Sequence, residues 1–296
     1  MHLREHEKYY HLMMIPGMVM LVIFSIIPLF GIVIAFQNFK PAKGIFGSAF
    51  VGLNNFRKAF MFSAFRQACV NTVIIAAGKI ILNIIVPVFF AVVLNECSHA
   101  HFTKAVQTIV YLPHFLSWVV LAVIFNNIFS LTGLFNKLLG LFGVAPQMYM
   151  IKAQSFRHVI MWTDVWKHFG YNAIVYLAAI TNIDQNIYEA AEIDGVSRVQ
   201  RIWYMTLPSI LPTIVLMSTL ALGNILNAGF DQVYNMYSPL VYSTGDIIDT
   251  YVYRMGLENL QYSLATAVGL GKSAIGFLMI VTSYFLAGRF AGYSIF

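Results

Sequence analysis

Long apolar stretches with few charges run through the chain, and they limit its fold more than any other feature. A helix that crosses a membrane needs about 20 mostly apolar residues. We predict six such helices, at residues 12–36, 70–94, 105–129, 158–181, 207–230 and 263–287. Only 10% of the residues are charged, whereas about 25% is usual for a soluble domain. The stretches do not alternate as barrel strands do, so we predict an all-α integral membrane protein with one transmembrane domain over residues 1–296.

The segment between the fourth and fifth predicted helices carries the signals of two short helices and a turn. Asn186 is placed to cap the first helix, with Glu189 three residues later. Gly195 tolerates the left-handed backbone that often follows a helix, and Ser197 with Gln200 forms a second capping pair. Two interpretations fit this pattern. The segment either docks into a partner protein through a small Ala-Ala face with an acidic edge, or it is an amphipathic connector.

A resemblance to a known family favours docking. The run Glu189-Ala190-Ala191, followed at fixed spacing by Gly195, Met205 and Leu207-Pro208, resembles the EAA loop of binding-protein-dependent ABC importer permeases. Met205 replaces the Ile or similar residue of that pattern. The flanking residues Tyr188, Ile193-Asp194 and Thr206 are similar to the carbohydrate branch. The N-terminal stretch, with Val51-Gly52-Leu53-Asn54-Asn55-Phe56, is similar to the polysaccharide permeases.

The resemblance implies a type I ABC importer permease with six spans, in the inner (cytoplasmic) membrane and with both termini cytoplasmic. Its partners would be a second homologous permease, two ATP-binding subunits, an extracellular solute-binding protein, membrane lipid and a saccharide, and no nucleic acid. This chain would bind no metal or cofactor and catalyse nothing, because ATP and magnesium belong to the ATPase subunits. Residues 182–206 would form the cytoplasmic coupling loop. The coupling residues in it would be Tyr188, Glu189, Ala190, Ala191, Asp194 and Gly195.

Two other patterns bear on this assignment. Gly269-Leu-Gly-Lys-Ser273 resembles the end of a phosphate-binding loop, but Thr266 stands where the first glycine is required, so we do not predict an ATP site there. In the implied orientation nine Lys and Arg residues lie outside and six lie inside. This distribution opposes the positive-inside rule, so the orientation depends on the resemblance.

The fourth predicted helix carries Asp164, Lys167, His168 and Asn172, whose spacing of three and four residues predicts one shared face. Ionisable residues within a membrane are costly and are often functional. This face either lines the solute path or contains a self-neutralising pair, Asp164–Lys167 or Asp164–His168. Both interpretations remain open at this point.

Four further polar residues fall within predicted spans. Asn224 and Asn227 share a face of the fifth helix, where they either bond sugar hydroxyls or join helices. Lys272 lies within the sixth helix and is assigned to the solute path. Lys79, in the second, is expected to extend its amine to the membrane interface.

The charge distribution also suggests a solute class. The first two external segments hold eight cations and no acid, and a basic entrance concentrates anions. An acidic saccharide is therefore one hypothesis; a neutral oligosaccharide, with the cations contacting lipid or the binding protein, is the other. A competing function is a secondary transporter driven by an ion gradient, with Asp164 at the ion site. Such transporters often contain internal repeats, and none is visible here.

Overall fold

The computed structural model describes residues 3–291, which are helical almost throughout. Short turns of π-helix cover Val22–Ile26, Ile202–Thr206 and Arg254–Glu258, and 3-10 turns cover Phe30–Phe36, Pro41–Lys43, Leu112–Phe115 and Pro239–Val241. The two strands are β1 (Gln37–Asn38) and β2 (Ala49–Phe50). The α-helices are α1 (Leu3–Leu21), α2 (Ile27–Leu29), α3 (Gly44–Gly47), α4 (Asn54–Met61), α5 (Ser63–Asn95), α6 (Ala100–Tyr111), α7 (Trp118–Ile128), α8 (Leu134–Gly140), α9 (Ala153–Thr181), α10 (Gln185–Ile193), α11 (Arg198–Arg201), α12 (Leu207–Leu222), α13 (Phe230–Met236), α14 (Tyr242–Gly245), α15 (Ile248–Tyr253) and α16 (Tyr262–Ala291).

The chain divides into two compact units. One contains the residues up to Phe62 together with Val252–Gly271, and the other contains Ser63–Tyr251 together with the residues from Lys272 onward. The assignment of residues 1–296 to one transmembrane domain stays a prediction. So does the cytoplasmic placement of the termini, since residues 1–2 and 292–296 lie outside the described range.

The first unit joins a long apolar helical segment to a small hairpin. The strands β1 and β2 pair antiparallel, with Gln37 opposite Phe50. The Asn55 side-chain amide donates to the Ala35 and Gln37 carbonyls at 2.8 and 2.9 Å. Because this amide satisfies backbone carbonyls at the end of the helical segment, it fixes α4 beside that end.

The second unit is built around α5 and α9, which pack along each other. One apolar cluster on these helices includes Ile75, Phe156 and Ile160, all fully buried. A second cluster joins the last turns of α5 and α9 to α12 through Val92, Tyr176 and other buried residues. Burial of apolar surface at about 25 cal/mol per Å² holds these helices in register.

Apolar helices long enough to cross a membrane are found at four places in the described range: Tyr9–Phe36, Ser63–Asn95, Arg198–Leu222 and Tyr262–Phe285. The predicted third span does not form a straight helix. It consists of Ala100–Phe115 and Trp118–Ile128, which are bent by 105° relative to each other, and it makes a fifth span only if this pair is counted as one. Pro113 lies in the 3-10 turn before the bend, and the Ser117 hydroxyl caps α7 by accepting from the Val120 amide.

The predicted fourth and fifth spans also differ from expectation. The predicted fourth span corresponds to α9, which is long enough to cross a membrane, although its polar residues exclude it from the apolar set. Six spans therefore remain a prediction. The fifth span was predicted to end at Phe230, but α12 ends at Leu222, so the prediction that Asn224 and Asn227 lie on a helix is wrong. Both lie in the turn and irregular backbone that follow.

Candidate functional site

The 182–206 loop folds as a short helix, a turn and a second helix. The first helix, α10, is capped by Asp184, whose carboxylate accepts from the Asn186 amide at 3.0 Å. The prediction of Asn186 as the cap is therefore wrong by two residues. Asp and Asn serve equally well as caps, so residue type alone could not distinguish Asp184 from Asn186.

The turn after α10 and the second cap agree with the prediction. Gly195 has φ +71°, and the Val196 amide donates to the Ala191 carbonyl at 3.0 Å. Ser197 and Gln200 form a reciprocal capping box at the start of α11. Instead of ending as a separate helix, α11 continues through the Ile202–Thr206 turn into α12. The loop is therefore attached directly to the following span.

The exposed face of α10 differs from the predicted Ala-Ala surface. Ala191 is buried, whereas Glu189 and Ala190 are exposed. Ile193, at the end of the helix, is 87% exposed. Ile193 lies four residues after Glu189, so the two side chains share one side of the helix. The exposed face of α10 thus includes Glu189, Ala190 and Ile193. Sequence reasoning used Ile193 only as a mark of the carbohydrate branch and did not place it on this face, because the residue also fits an amphipathic pattern.

A cavity of about 250 Å³ opens between α5, α9, α12 and the residues that follow α12. Apolar side chains make up most of its lining, and it is called the polar cavity after the charged and amide side chains on one wall. Four of the predicted solute-path residues line it, namely Asp164, Asn172, Asn224 and Asn227. Two residues outside that prediction, Lys79 and Asn83, line it as well.

A buried ion pair forms one wall of this cavity. The Lys79 Nζ atom lies 3.1 Å from an Asp164 carboxylate oxygen, with side-chain exposures of 8% and 14%. The same ammonium donates to the Ala228 carbonyl at 2.7 Å and to the Gln232 side-chain oxygen. The prediction that Lys79 extends to the interface is therefore wrong. Lys79 is the only charged residue in the predicted second span. A charge within a membrane span usually has a partner, so this isolation could have indicated the ion pair.

Gly229 makes room for the ammonium. Its φ is +90°, and a Cβ atom built there would lie 2.9 Å from the Lys79 Nζ atom. Both the backbone conformation and the close approach favour glycine at this position.

Amide side chains continue the polar wall. The Asn83 amide donates to Asp164 at 3.0 Å, and the Asn172 amide donates to Asn83 at 3.2 Å. Asn227 donates to Asn224 at 3.3 Å. Amides that both donate and accept suit the hydroxyl groups of a saccharide, and the paired charges leave the wall close to neutral.

Lys167 and His168 do not line this cavity. Asp164 and His168 do interact, with Nδ1 of the imidazole 3.7 Å from the carboxylate. The Lys167 ammonium instead donates to the carbonyls of Pro113, His114 and Leu116 at the bend of the third span. The prediction of one face for all four polar residues is therefore wrong for Lys167. Its ammonium caps carbonyls that the broken helix leaves free.

Lys272 has an acidic partner as well. Its Nζ atom lies 2.6 Å from an Asp249 carboxylate oxygen and 2.9 Å from the Asn227 side-chain oxygen. It therefore supports a cavity residue without lining the cavity. No group of three or more metal-ligating side chains occurs within residues 3–291.

The long apolar helices and the polar cavity between them define a membrane transport protein. Residues 83–294 match the family of binding-protein-dependent transport system inner membrane components, and the chain belongs to this family. It is therefore an inner-membrane transport component, and the resemblance drawn from the EAA pattern is confirmed.

Relatives and solved structures match nearly the full length. The chain is 38% identical over 285 residues, 96% of its length and 89% of the relative's, to the polygalacturonan/rhamnogalacturonan transport system permease protein YteP of Bacillus subtilis (strain 168). A crystal structure of a bacterial ABC transporter involved in import of the acidic polysaccharide alginate contains a chain with TM-score 0.88 and 32% identity, with 97% of each chain covered. A second structure, of the alginate transporter with a pentasaccharide-bound periplasmic protein, gives TM-score 0.88 and 31% identity, with 98% of each chain covered.

Proposed function

We propose that this chain is the membrane-spanning permease subunit of an ATP-driven importer of acidic oligo- or polysaccharides. It works with a second permease, two ATPase subunits and an extracellular solute-binding protein. ATP binding and hydrolysis on the ATPase subunits drive the spans between outward-open and inward-open states. This chain supplies the path and the coupling contact, and its partners hold ATP and magnesium.

The observation that carries this proposal is the exposed face of α10. Glu189 and Ala190 are exposed and Ile193 is 87% exposed, while the buried Ala191 anchors the helix to its own chain. A short helix with one anchored face and one exposed face suits a groove on another protein. The predicted coupling residues surround this face, with Asp194 and Gly195 in the turn after it.

The polar cavity is the proposed solute path. Its amide ladder offers donors and acceptors to sugar hydroxyls, and the Lys79–Asp164 pair leaves no isolated charge there. A saccharide that moves along this wall exchanges water hydrogen bonds for amide hydrogen bonds at little net cost. The path residues proposed here are Asn83, Asn172, Asn224 and Asn227.

An acidic solute is supported by charge and by the relatives. The first two external segments carry eight cations and no acid. Among similar proteins, one is named for polygalacturonan, a polymer of a uronic acid, and another belongs to a transporter of acidic alginate. Within residues 3–291, Lys79 and Lys272 are paired with carboxylates and Lys167 with carbonyls. The preference for an anionic solute is therefore assigned to the cations of the external entrance, which attract anions.

The coupling contact is tested with Glu189→Lys and Ile193→Ser. Both variants change the exposed face without touching the core, so we expect normal membrane insertion, weak co-purification with the ATPase subunits and loss of ATP-dependent uptake. Lys104→Glu, a charge reversal on an exposed residue of α6 outside the loop and outside the external segments, is the matched control and should behave as the wild type. Full uptake in both loop variants would contradict the docking role.

The solute class is tested by uptake of uronate and neutral oligosaccharides of equal length. We expect the uronate to be preferred, with a preference that weakens as salt rises from 0.01 to 0.15 M because the Debye length falls from about 30 to about 8 Å. A preference for the neutral oligomer would remove the acidic-solute assignment and leave the permease assignment intact.

A further inference from the structure

Glu96 is an isolated acid with a specific partner. It is the only acidic residue between Glu7 and Asp164, and it directly follows the end of α5. A carboxylate at the C-terminal end of a helix is unfavourable beside the partial negative charge of that end. A nearby cation offsets this repulsion, and that cation is Arg201.

Arg201 connects three elements of the chain. One guanidinium nitrogen donates to Glu96 at 2.5 Å, and the other donates to Glu192 of α10 at 3.2 Å. The guanidinium carbon lies 5.6 Å from the ring centroid of Tyr188, and the Tyr188 hydroxyl lies 2.9 Å from the Thr206 hydroxyl. A planar guanidinium suits such simultaneous contacts because its donors form a rigid fork.

The two contacts of Arg201 differ in strength. The Arg201 and Glu96 side chains are 19% and 14% exposed, whereas Glu192 is 71% exposed. Charge-assisted hydrogen bonds shielded from water are stronger than exposed ion pairs. An apolar cluster that includes Val92, Ile180 and Ile210 lies against Tyr188 and Ile202. Glu96–Arg201 is thus the principal polar contact between the loop and α5.

The helix α5 extends from this contact to the polar cavity. Asn83 lies 13 residues and Lys79 lies 17 residues before Glu96, which is about 20 and 26 Å along a helix. The loop is joined covalently to α9 and to α12, whereas its direct contacts with the end of α5 are non-covalent. The Glu96–Arg201 pair is therefore positioned to transfer a displacement of α10 to the helix that carries Lys79 and Asn83.

We propose that Glu96 and Arg201 are positioning residues that connect the 182–206 loop to α5, so that movement of the loop changes the polar cavity. The proposal rests on the coupling role proposed above. It assigns the two residues no contact with solute or nucleotide. Without the pair, the ATPase subunits still dock on α10 and hydrolyse ATP, but α5 follows the loop less closely because only apolar contacts then connect them.

The test uses the full complex in proteoliposomes and measures the number of solute molecules imported for each ATP hydrolysed. Arg201→Gln and Glu96→Gln should each lower this ratio about five- to tenfold, the range of a moderate coupling energy. ATPase co-purification should stay at the wild-type level. The double variant should match the single variants, because both changes remove the same contact. Lys104→Gln, which removes an exposed cation of α6 outside the loop, is the control.

A conservative variant separates positioning from folding. Arg201→Lys keeps one charged contact to Glu96 and should give a ratio between those of the wild type and Arg201→Gln, even if the Gln variant assembles poorly. Wild-type ratios in Arg201→Gln and Glu96→Gln would overturn the proposal, as would a double variant that falls by the product of the single effects. A wild-type complex without ATP-dependent uptake would instead overturn the proposed function on which this inference rests.

Discussion

Neutralising Asp164 tests the buried ion pair of the cavity. The Asp164→Asn variant preserves the size of the side chain and removes its charge. Lys79 then retains the Ala228 carbonyl and the Gln232 side-chain oxygen, but its ammonium has no carboxylate beside it. Removing one partner of a buried pair costs about 3–5 kcal/mol because the remaining charge is uncompensated.

The expected size of the effect follows from the burial. With side-chain exposures of 8% and 14%, the pair is well shielded, so the full range of about 3–5 kcal/mol applies. At roughly 2 °C per kcal/mol for a chain of this length, the apparent melting temperature falls by about 6–10 °C. The exposed Glu192–Arg201 contact provides the comparison. Glu192→Gln should cost about 1 kcal/mol or less, since Glu192 is 71% exposed.

The assay is thermal unfolding of the purified protein in detergent, followed by the loss of the monodisperse peak in size-exclusion chromatography. The combined variant Lys79→Met with Asp164→Leu should be more stable than Asp164→Asn, because it leaves no unpaired charge. The single variants Lys79→Met and Asp164→Leu complete the comparison. If the combined variant loses as much stability as these two variants added together, Lys79 and Asp164 do not stabilise each other, and the argument fails.

Three further predictions concern the loop, the cavity and the bent span. Gly195→Val should lower uptake more than Gly195→Asn, since φ is +71° and nothing lies within 4 Å of an added Cβ atom; the cost of about 1–3 kcal/mol therefore comes from the backbone, and equal uptake by the two variants would contradict it. With the native cysteines replaced by serine, Asn172→Cys and Asn224→Cys should react with a water-soluble thiol reagent and be protected by saccharide. Val165→Cys, at a buried position of α9, should not react, and equal labelling at all three positions would exclude this cavity as the path. Lys167→Met should cost about 1–3 kcal/mol by leaving three carbonyls without their donor, measured as a lower melting temperature; an unchanged melting temperature would show that water caps the bend equally well.

The sequence predicted the elements whose signals are local. Apolar runs located the long helices, and the 182–206 loop followed its capping and turn residues, with Gly195 and the Ser197 box as expected. The bend after Pro113 was missed because the apolar run continues through it. Asn224 and Asn227 were placed on a helix for the same reason, since hydropathy does not show where α12 ends.

The partners of the polar residues could not be predicted, because they come from distant parts of the chain. Asp164 lies 85 positions after Lys79, and Arg201 lies 105 positions after Glu96. Spacing along one helix suggested Lys167 as a partner of Asp164. Tertiary packing instead turned Lys167 toward the carbonyls of the bent span. An isolated charge in an apolar stretch indicates that a partner exists, and the fold identifies that partner.

The central claim, that this chain is the permease subunit of an ATP-driven importer, is tested most directly by uptake into proteoliposomes. The chain is reconstituted with its partner permease, its ATPase subunits and its solute-binding protein, and import of a labelled uronate oligosaccharide is followed. The account predicts import that requires both ATP and the binding protein and that is abolished by Glu189→Lys. Import driven by a sodium or proton gradient without ATP would contradict the account and favour a secondary transporter with Asp164 at its ion site.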